Sequence, residues 1–342
     1  MTEHASDYTF ADSVRLRVRG PRRVLRHFDG EYGEVRTAAV AEPDVDVRIG
    51  FGSRVDRIPG GAVLAGGHKT ARWRVALGPP EAGPLHAVIG LTGGPPSFTL
   101  SLVQGYFVEA LVAVALARVG RTALPAAAFG DGGGGATVVL GRSGAGKTTL
   151  TARALAAGRT VLSDDQVVVD ASGRIWRYPR RLRLYPDIEQ TAPEAWSRLP
   201  AGTRATLRNR ALVRRLTRGQ VAPSLAVPAS DVGTTVVSGP VPLRRLVVVG
   251  RCEDDGFSEE VRPAAWVVGE AETLLGQQRE RLTRAVGGAW ADALDAVLRA
   301  ESRTVTAALA GVPATEISVP RAWGARRAVD ALDAHLGVTP AR

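Results

Sequence analysis

The residues best suited to chemistry lie in one run, Gly141-Arg142-Ser143-Gly144-Ala145-Gly146-Lys147-Thr148-Thr149. The pattern is a glycine, four residues, then Gly-Lys-Thr, the text of a phosphate-binding loop. Glycines let backbone N–H groups turn inward around an anion without a Cβ clash. A helix opening at Lys147 would point the positive end of its dipole at that anion. Lys147 can reach β- and γ-phosphates, and the Thr148 hydroxyl can ligate Mg²⁺. Residues Gly141 through Thr149 are therefore expected to hold a nucleoside triphosphate. Two carboxylates, Asp164 and Asp165, follow 17 and 18 residues after Lys147. Neighbours on a strand face opposite ways. One is expected to face the phosphates and accept a proton from an attacking hydroxyl, the other to support metal or position.

Those side chains need a strand before the loop and a helix after it. Thr137–Leu140 reads as a buried strand, and Lys147–Ala157 as a helix ended by Gly158. Arg159–Leu162 and Gln166–Val169 read as strands. Ala171-Ser172-Gly173 turns into Ile175–Tyr178, Leu246–Val249 is a further buried strand, Ala271–Leu298 is helical, and Ala328–Leu336 closes the chain. Gly132–Gly135 reads as a hairpin turn. Upstream, residues 1–105 read as a β-rich subdomain, with strand-like runs at Asp44–Phe51, Ala71–Leu77, Leu85–Leu91 and Ser97–Leu102. Tyr106–Val119 reads as a helix stopped at Gly120. The expected division is a subdomain at 1–105 with no catalytic text, a connecting helix at 106–120 and an α/β catalytic domain at 121–342.

Composition narrows the function. The chain has 342 residues, 45% of them hydrophobic, enough to bury a core. One cysteine, Cys252, excludes a disulfide framework and Cys-rich metal sites, and the five histidines show no metal-ligand spacing. No apolar stretch reads as a membrane span and no signal peptide is evident, so a cytoplasmic location without membrane attachment is expected. The net charge of +10 comes from 44 basic residues, all arginine except Lys69 and Lys147. Arginine in place of lysine fits the coding bias of a GC-rich genome, and nucleic acid is not the favoured partner. The signature loop and the Asp-Glu strand end of a transporter-type ATPase are absent, as is the Asn-Lys-x-Asp of a GTPase. Leu246–Val249 runs into Gly250-Arg251 instead of a carboxylate.

With those residues in hand, the chain resembles the catalytic domain of bacterial HPr serine kinase/phosphorylase, and more closely the related kinases outside sugar regulation. The family combines the loop and helix with an Asp pair at this spacing. Gly141–Thr149 and Val161-Leu162-Ser163-Asp164-Asp165 match it without a gap. Tyr178-Pro179-Arg180-Arg181-Leu182-Arg183-Leu184-Tyr185-Pro186-Asp187 resembles the segment after the pair. The resemblance is clear over about 121–190 and looser to 342. It implies a P-loop kinase core of the HPr kinase/PEP carboxykinase type, with ATP and Mg²⁺ required. The implied reaction is transfer of the γ-phosphoryl group to a serine or threonine hydroxyl of a small protein or peptide. In that scheme Lys147 stabilises phosphates, Thr148 binds Mg²⁺, Asp164 is the general base and Asp165 supports metal or position. Two departures stand out. Leu124-Pro125-Ala126-Ala127 occupies the place of the family's upstream histidine, and Thr149 the place of its glutamate. The resemblance therefore carries neither phosphorolysis nor HPr as substrate.

Other readings stay open. The acceptor could be a free metabolite such as serine or a sugar alcohol, or the chain could be a non-catalytic nucleotide-binding module of a biosynthetic complex. Homo-oligomerisation is left open. Arg177, Arg180, Arg181 and Arg183 read as a solvated edge strand, with neutralisation of phosphoryl charge as the alternative. Asp187 is a further candidate carboxylate. Thr203–Arg218 reads as a helix with Arg210, Arg214 and Arg218 along one face. That face is read as solvated, the alternative being a grip on an acidic peptide or another subunit. Gln220–Pro240 reads as a mobile loop near the site.

Overall fold

The computed structural model describes residues 4–52, 54–81, 83–218, 224–233 and 239–338. It is a mixed α/β protein whose sheets combine parallel and antiparallel strands. The chain divides into two compact units that are not continuous in sequence. One comprises Met1–Ala123 with Glu272–Ala307, the other Leu124–Ala271 with Ala308–Arg342. This partition differs from the expected 1–105, 106–120 and 121–342. The helix placed between domains lies inside the first unit, and a segment expected in the catalytic domain returns to it.

The first unit is built on a seven-stranded sheet. Strand formation follows from period-2 patterning: in Val14–Gly20, Val14, Leu16 and Val18 are buried while Arg15, Arg17 and Arg19 alternate outward. The outward arginines pair across strands, Arg17 with Asp7 at 2.8 Å and Arg19 with Asp46 at 2.9 Å. Two helices of this unit depart from expectation. Arg22–Tyr32 buries Val24, Leu25, Phe28 and Tyr32, a helical spacing that the sequence reading passed over. Ser97–Leu102, expected as a strand, is the start of a helix, Pro96–Val103. Pro96 presets φ at the first helical position, and the Thr99 hydroxyl bonds back to the Gly93 and Pro95 carbonyls. A π-turn over Gln104–Val108 joins it to Glu109–Arg118. The whole helix, Pro96–Arg118, is long and apolar enough to cross a membrane, but 78% of its most apolar stretch is buried within the fold. That is the pattern of a core helix.

The second unit carries the Gly141–Thr149 run. Its sheet centres on three parallel strands, Ala136–Gly141, Val241–Cys252 and Ala314–Pro320, in that spatial order. Ala126–Gly130 runs antiparallel beside Ala136–Gly141, and Val161–Ser163 follows at the edge. The hairpin Val167–Asp170/Arg174–Arg177 turns through residues 171–173, with Asp170 accepting from the backbone of Ser172 and Arg174. The helix Lys147–Ala156 packs Leu150, Ala152, Ala154 and Leu155 into the core. Arg153 on that helix ties it to the C-terminal helix Ala325–Leu336 through Asp330 at 2.6 Å and Asp333 at 3.1 Å, and donates to the Thr191 carbonyl. Only part of Gln220–Pro240 falls among the described residues. There, Leu225–Val227 is a strand paired with Leu182–Leu184, so the expected loop is not loop throughout.

Candidate active site

The site is built where a parallel strand ends. Ala136–Gly141 delivers the glycine-rich run at its carboxyl end, where open α/β sheets characteristically place ligands. Gly141 is closely packed: a Cβ there would lie 3.0 Å from both the Val249 carbonyl oxygen and the Ala145 methyl, so a larger residue would crowd the strand end. The chain then turns through Arg142, Ser143 and Gly144, all exposed, with the Ala145 N–H donating to the Arg142 carbonyl. Gly144 and Gly146 adopt φ of +85° and +98°, the left-handed region that favours glycine. Lys147 opens the helix, and the Leu150 N–H donates to the Gly146 carbonyl.

Lys147 is buried, and its ammonium donates to the Gly141 carbonyl and, at 3.3 Å, to that of Arg142. Burial lowers its pKa, and the charges of Asp165 and Asp164 oppose the shift. Thr148, one residue on, donates its hydroxyl to Asp164 Oδ2 at 3.0 Å. Thr149 is partly exposed on the same first turn.

The Asp pair sits on a bend just past Val161–Ser163, and its two members diverge. Asp164 is buried against the helix. Its Oδ1 and the neighbouring Thr151 hydroxyl make no well-formed hydrogen bond, yet that hydroxyl is near enough to favour the carboxylate. Burial pushes the Asp164 carboxyl up to about 6, and the charge of Asp165 adds to this. Thr148, Thr151 and Lys147 pull the other way. Asp165 is half-exposed and ion-paired with Arg180. The structure thus brings Lys147, Thr148 and Asp164 together, while Asp165 goes to the arginine.

Two contributors were not singled out from sequence. Thr151 lies three residues after Thr148, on the same helix face, so helical spacing alone could have raised it. Ser163 donates to the Tyr178 carbonyl at 3.2 Å and fastens the strand end that carries Asp164 to the segment that carries Arg180. Asp187 stands apart, immediately before the short helix Ile188–Thr191. Of the arginine group, Arg180 pairs with Asp165 of the Asp pair.

Among the described residues no group of three or more His, Cys, Asp and Glu side chains converges as a metal cage. The donors present are instead a hydroxyl and a buried carboxylate with one oxygen that makes no well-formed hydrogen bond. Such an all-oxygen set suits Mg²⁺, which characteristically takes one or two protein ligands and fills its octahedron with waters and substrate phosphates. No protein-family model and no curated protein matches this chain.

Proposed function

We propose that the second unit is a P-loop kinase core of the HPr kinase/PEP carboxykinase type. Its reaction would be transfer of the γ-phosphoryl group of ATP to a serine or threonine hydroxyl of a protein or peptide. The observation that carries the reading is the Thr148–Asp164 hydrogen bond at the end of a glycine loop with two left-handed glycines. A buried lysine and a buried carboxylate are costly to keep together for structure alone.

In this reading the exposed backbone of Arg142–Gly144 and the N-terminus of the Lys147 helix bind phosphate oxygens. Lys147 leaves the Gly141 and Arg142 carbonyls to neutralise phosphate charge. Thr148, whose hydroxyl hydrogen is turned to Asp164, would hold Mg²⁺ through its oxygen, and the ion when bound would supply charge neutralisation across the phosphates. The acceptor hydroxyl oxygen attacks the γ-phosphorus, the bond to the β-phosphate bridging oxygen breaks, and ADP leaves. The hydroxyl proton passes to Asp164 Oδ1, whose raised pKa makes it a better base than an ordinary aspartate. Asp165 and Arg180 keep the bend in place, so Asp165 is a positioning residue.

The test is calorimetric titration of Mg·ATP into wild type, Lys147→Ala and Asp164→Asn, with phosphoryl transfer followed on the same samples. Wild type should bind, Lys147→Ala should lose binding, and Asp164→Asn should retain nucleotide but lose turnover by about a hundredfold or more. Equal binding by all three would overturn the assignment of the loop. Normal binding with no turnover on peptide or metabolite mixtures would favour a nucleotide-responsive module.

A further inference from the structure

Within the second unit, the helix Ala201–Leu216 and the turn before Ile188–Thr191 enclose an open groove of about 460 Å³. Pro186, Asp187 and Gln190 line one side; Arg214, Arg215 and Arg218 line the other. We propose that this groove grips an acidic stretch of the peptide or protein that is phosphorylated. The use assigned to the grip rests on the kinase reading above.

The arginines are the first argument. Arg214 and Arg215 lie in the last turn of the helix and Arg218 just beyond its end, in a left-handed turn with φ of +48°; all three line the groove, so their like charges repel one another. All three are exposed, and none has a carboxylate partner among the described residues. Other arginines of this unit do have partners. Arg153 is paired with Asp333, Arg174 with Asp170, Arg208 with Glu189 and Arg262 with Glu316. The arginine-rich composition explains why there are many such side chains. It does not explain why three of them line one groove with no carboxylate paired to them among the described residues. Between residues 201 and 218 the sequence has six arginines and no Asp or Glu.

The opposite wall chooses among anions. Asp187 lies in the groove too, and its carboxylate pairs with none of the three arginines. A polyphosphate or nucleic acid would set its charges against it. A peptide instead brings backbone N–H groups that Asp187 and the Gln190 amide oxygen can accept, together with carboxylates that fit the planar forks of Arg214, Arg215 and Arg218.

Position is the third argument. The segment that leaves the Asp pair leads to the groove: Arg180 holds Asp165, Leu182–Leu184 follows, and Asp187 is seven residues beyond Arg180. Fully extended, that length spans at most about 24 Å. An acceptor peptide docked in the groove could therefore reach Asp164 with a hydroxyl on the order of seven residues from its acidic stretch.

The experiment uses the full chain and a short fluorescein-labelled peptide of alternating glutamate and alanine, followed by fluorescence anisotropy. Arg214→Glu combined with Arg215→Glu, and separately Arg218→Glu, are compared with wild type after circular dichroism has shown each to be folded. Wild type should bind, more weakly as salt rises, and the double variant should bind about tenfold less tightly or worse. An arginine–alanine peptide of the same length should not bind. Equal binding by wild type and both variants overturns the proposal, as does tighter binding of a single-stranded oligonucleotide of matched charge. A wild-type dimer that the double variant dissociates makes the groove a subunit contact and overturns it as well. Peptide binding without Mg·ATP binding would sink the kinase reading and leave the groove as an acidic-peptide site of another use.

Discussion

Asp164 is the side chain on which chemistry and stability pull in opposite directions. Its pKa of about 6 in the folded chain lies above the ordinary 3.8, so the fold favours the protonated form. The sign follows from linkage. The group contributes fully to stability below about pH 4, and the contribution is lost as pH rises through about 6. At pH 8 the buried carboxylate costs about 3 kcal/mol, two pKa units' worth. Asp164→Asn keeps an acceptor for the Thr148 hydroxyl and removes the charge. Thermal melts of the nucleotide-free protein should show this variant more stable than wild type at pH 8, the gain vanishing by pH 4. A loss of stability at both pH values would mean that the carboxylate serves structure alone. Phosphoryl transfer, needing the ionised base, should rise with pH through about 6, and a flat rate from pH 5 to 8 would remove Asp164 from that role. The loop and the Asp pair were legible in the sequence because their spacing is local. The division of labour within the pair was not. It depends on Arg180, fifteen residues further on, which reaches Asp165 through tertiary structure.

At the scale of elements, the strand–loop–helix around Gly141–Lys147 was readable because buried β-branched residues and glycines mark its ends. Ser97–Leu102 misled because its apolar residues alternate over so short a run that a strand and the first turns of a helix look alike. The preceding prolines and the longer apolar pattern through Leu116 decide for the helix. The loop glycines make a quantitative claim. Gly146 has φ of +98°, and a Cβ there would stand 3.3 Å from Val329 Cγ2. Gly146→Ala should cost about 1–2 kcal/mol from the left-handed backbone, with crowding against the C-terminal helix added. Gly202, inside the helix Ala201–Leu216, has ordinary φ and open space around its would-be Cβ. Gly202→Ala should stabilise by about 0.5–1 kcal/mol. Urea denaturation of both variants checks the contrast. Equal effects would mean that the loop relaxes away from its left-handed conformation without cost.

For the molecule as a whole, the two units interleave in sequence, which no local pattern announces. Periodicity identified a helical stretch after Ala271 but could not say which sheet it would serve. Its affiliation rests on particular bonds. The Trp290 indole N–H donates to the Gly78 carbonyl at 2.7 Å, and both groups belong to the first unit. Arg279 and Glu301, buried on successive helices of that unit, form an ion pair; burial raises the Glu301 pKa while Arg279 holds it down. A buried pair of this kind is tolerated only while both members are present and packed, and losing one costs about 3–5 kcal/mol. A chain cut to residues 121–342 would keep Trp290 and the buried pair but lose the sheet of residues 4–92, against which residues 272–307 complete a unit. Circular dichroism and amide exchange should find residues 272–307 unprotected in the shortened chain, with aggregation promoted by the exposed faces of both helices. Cooperative folding of 121–342 with those helices protected would show that the segment serves the glycine-loop unit after all. The contiguous division expected from sequence would then be the better description of how this chain is organised.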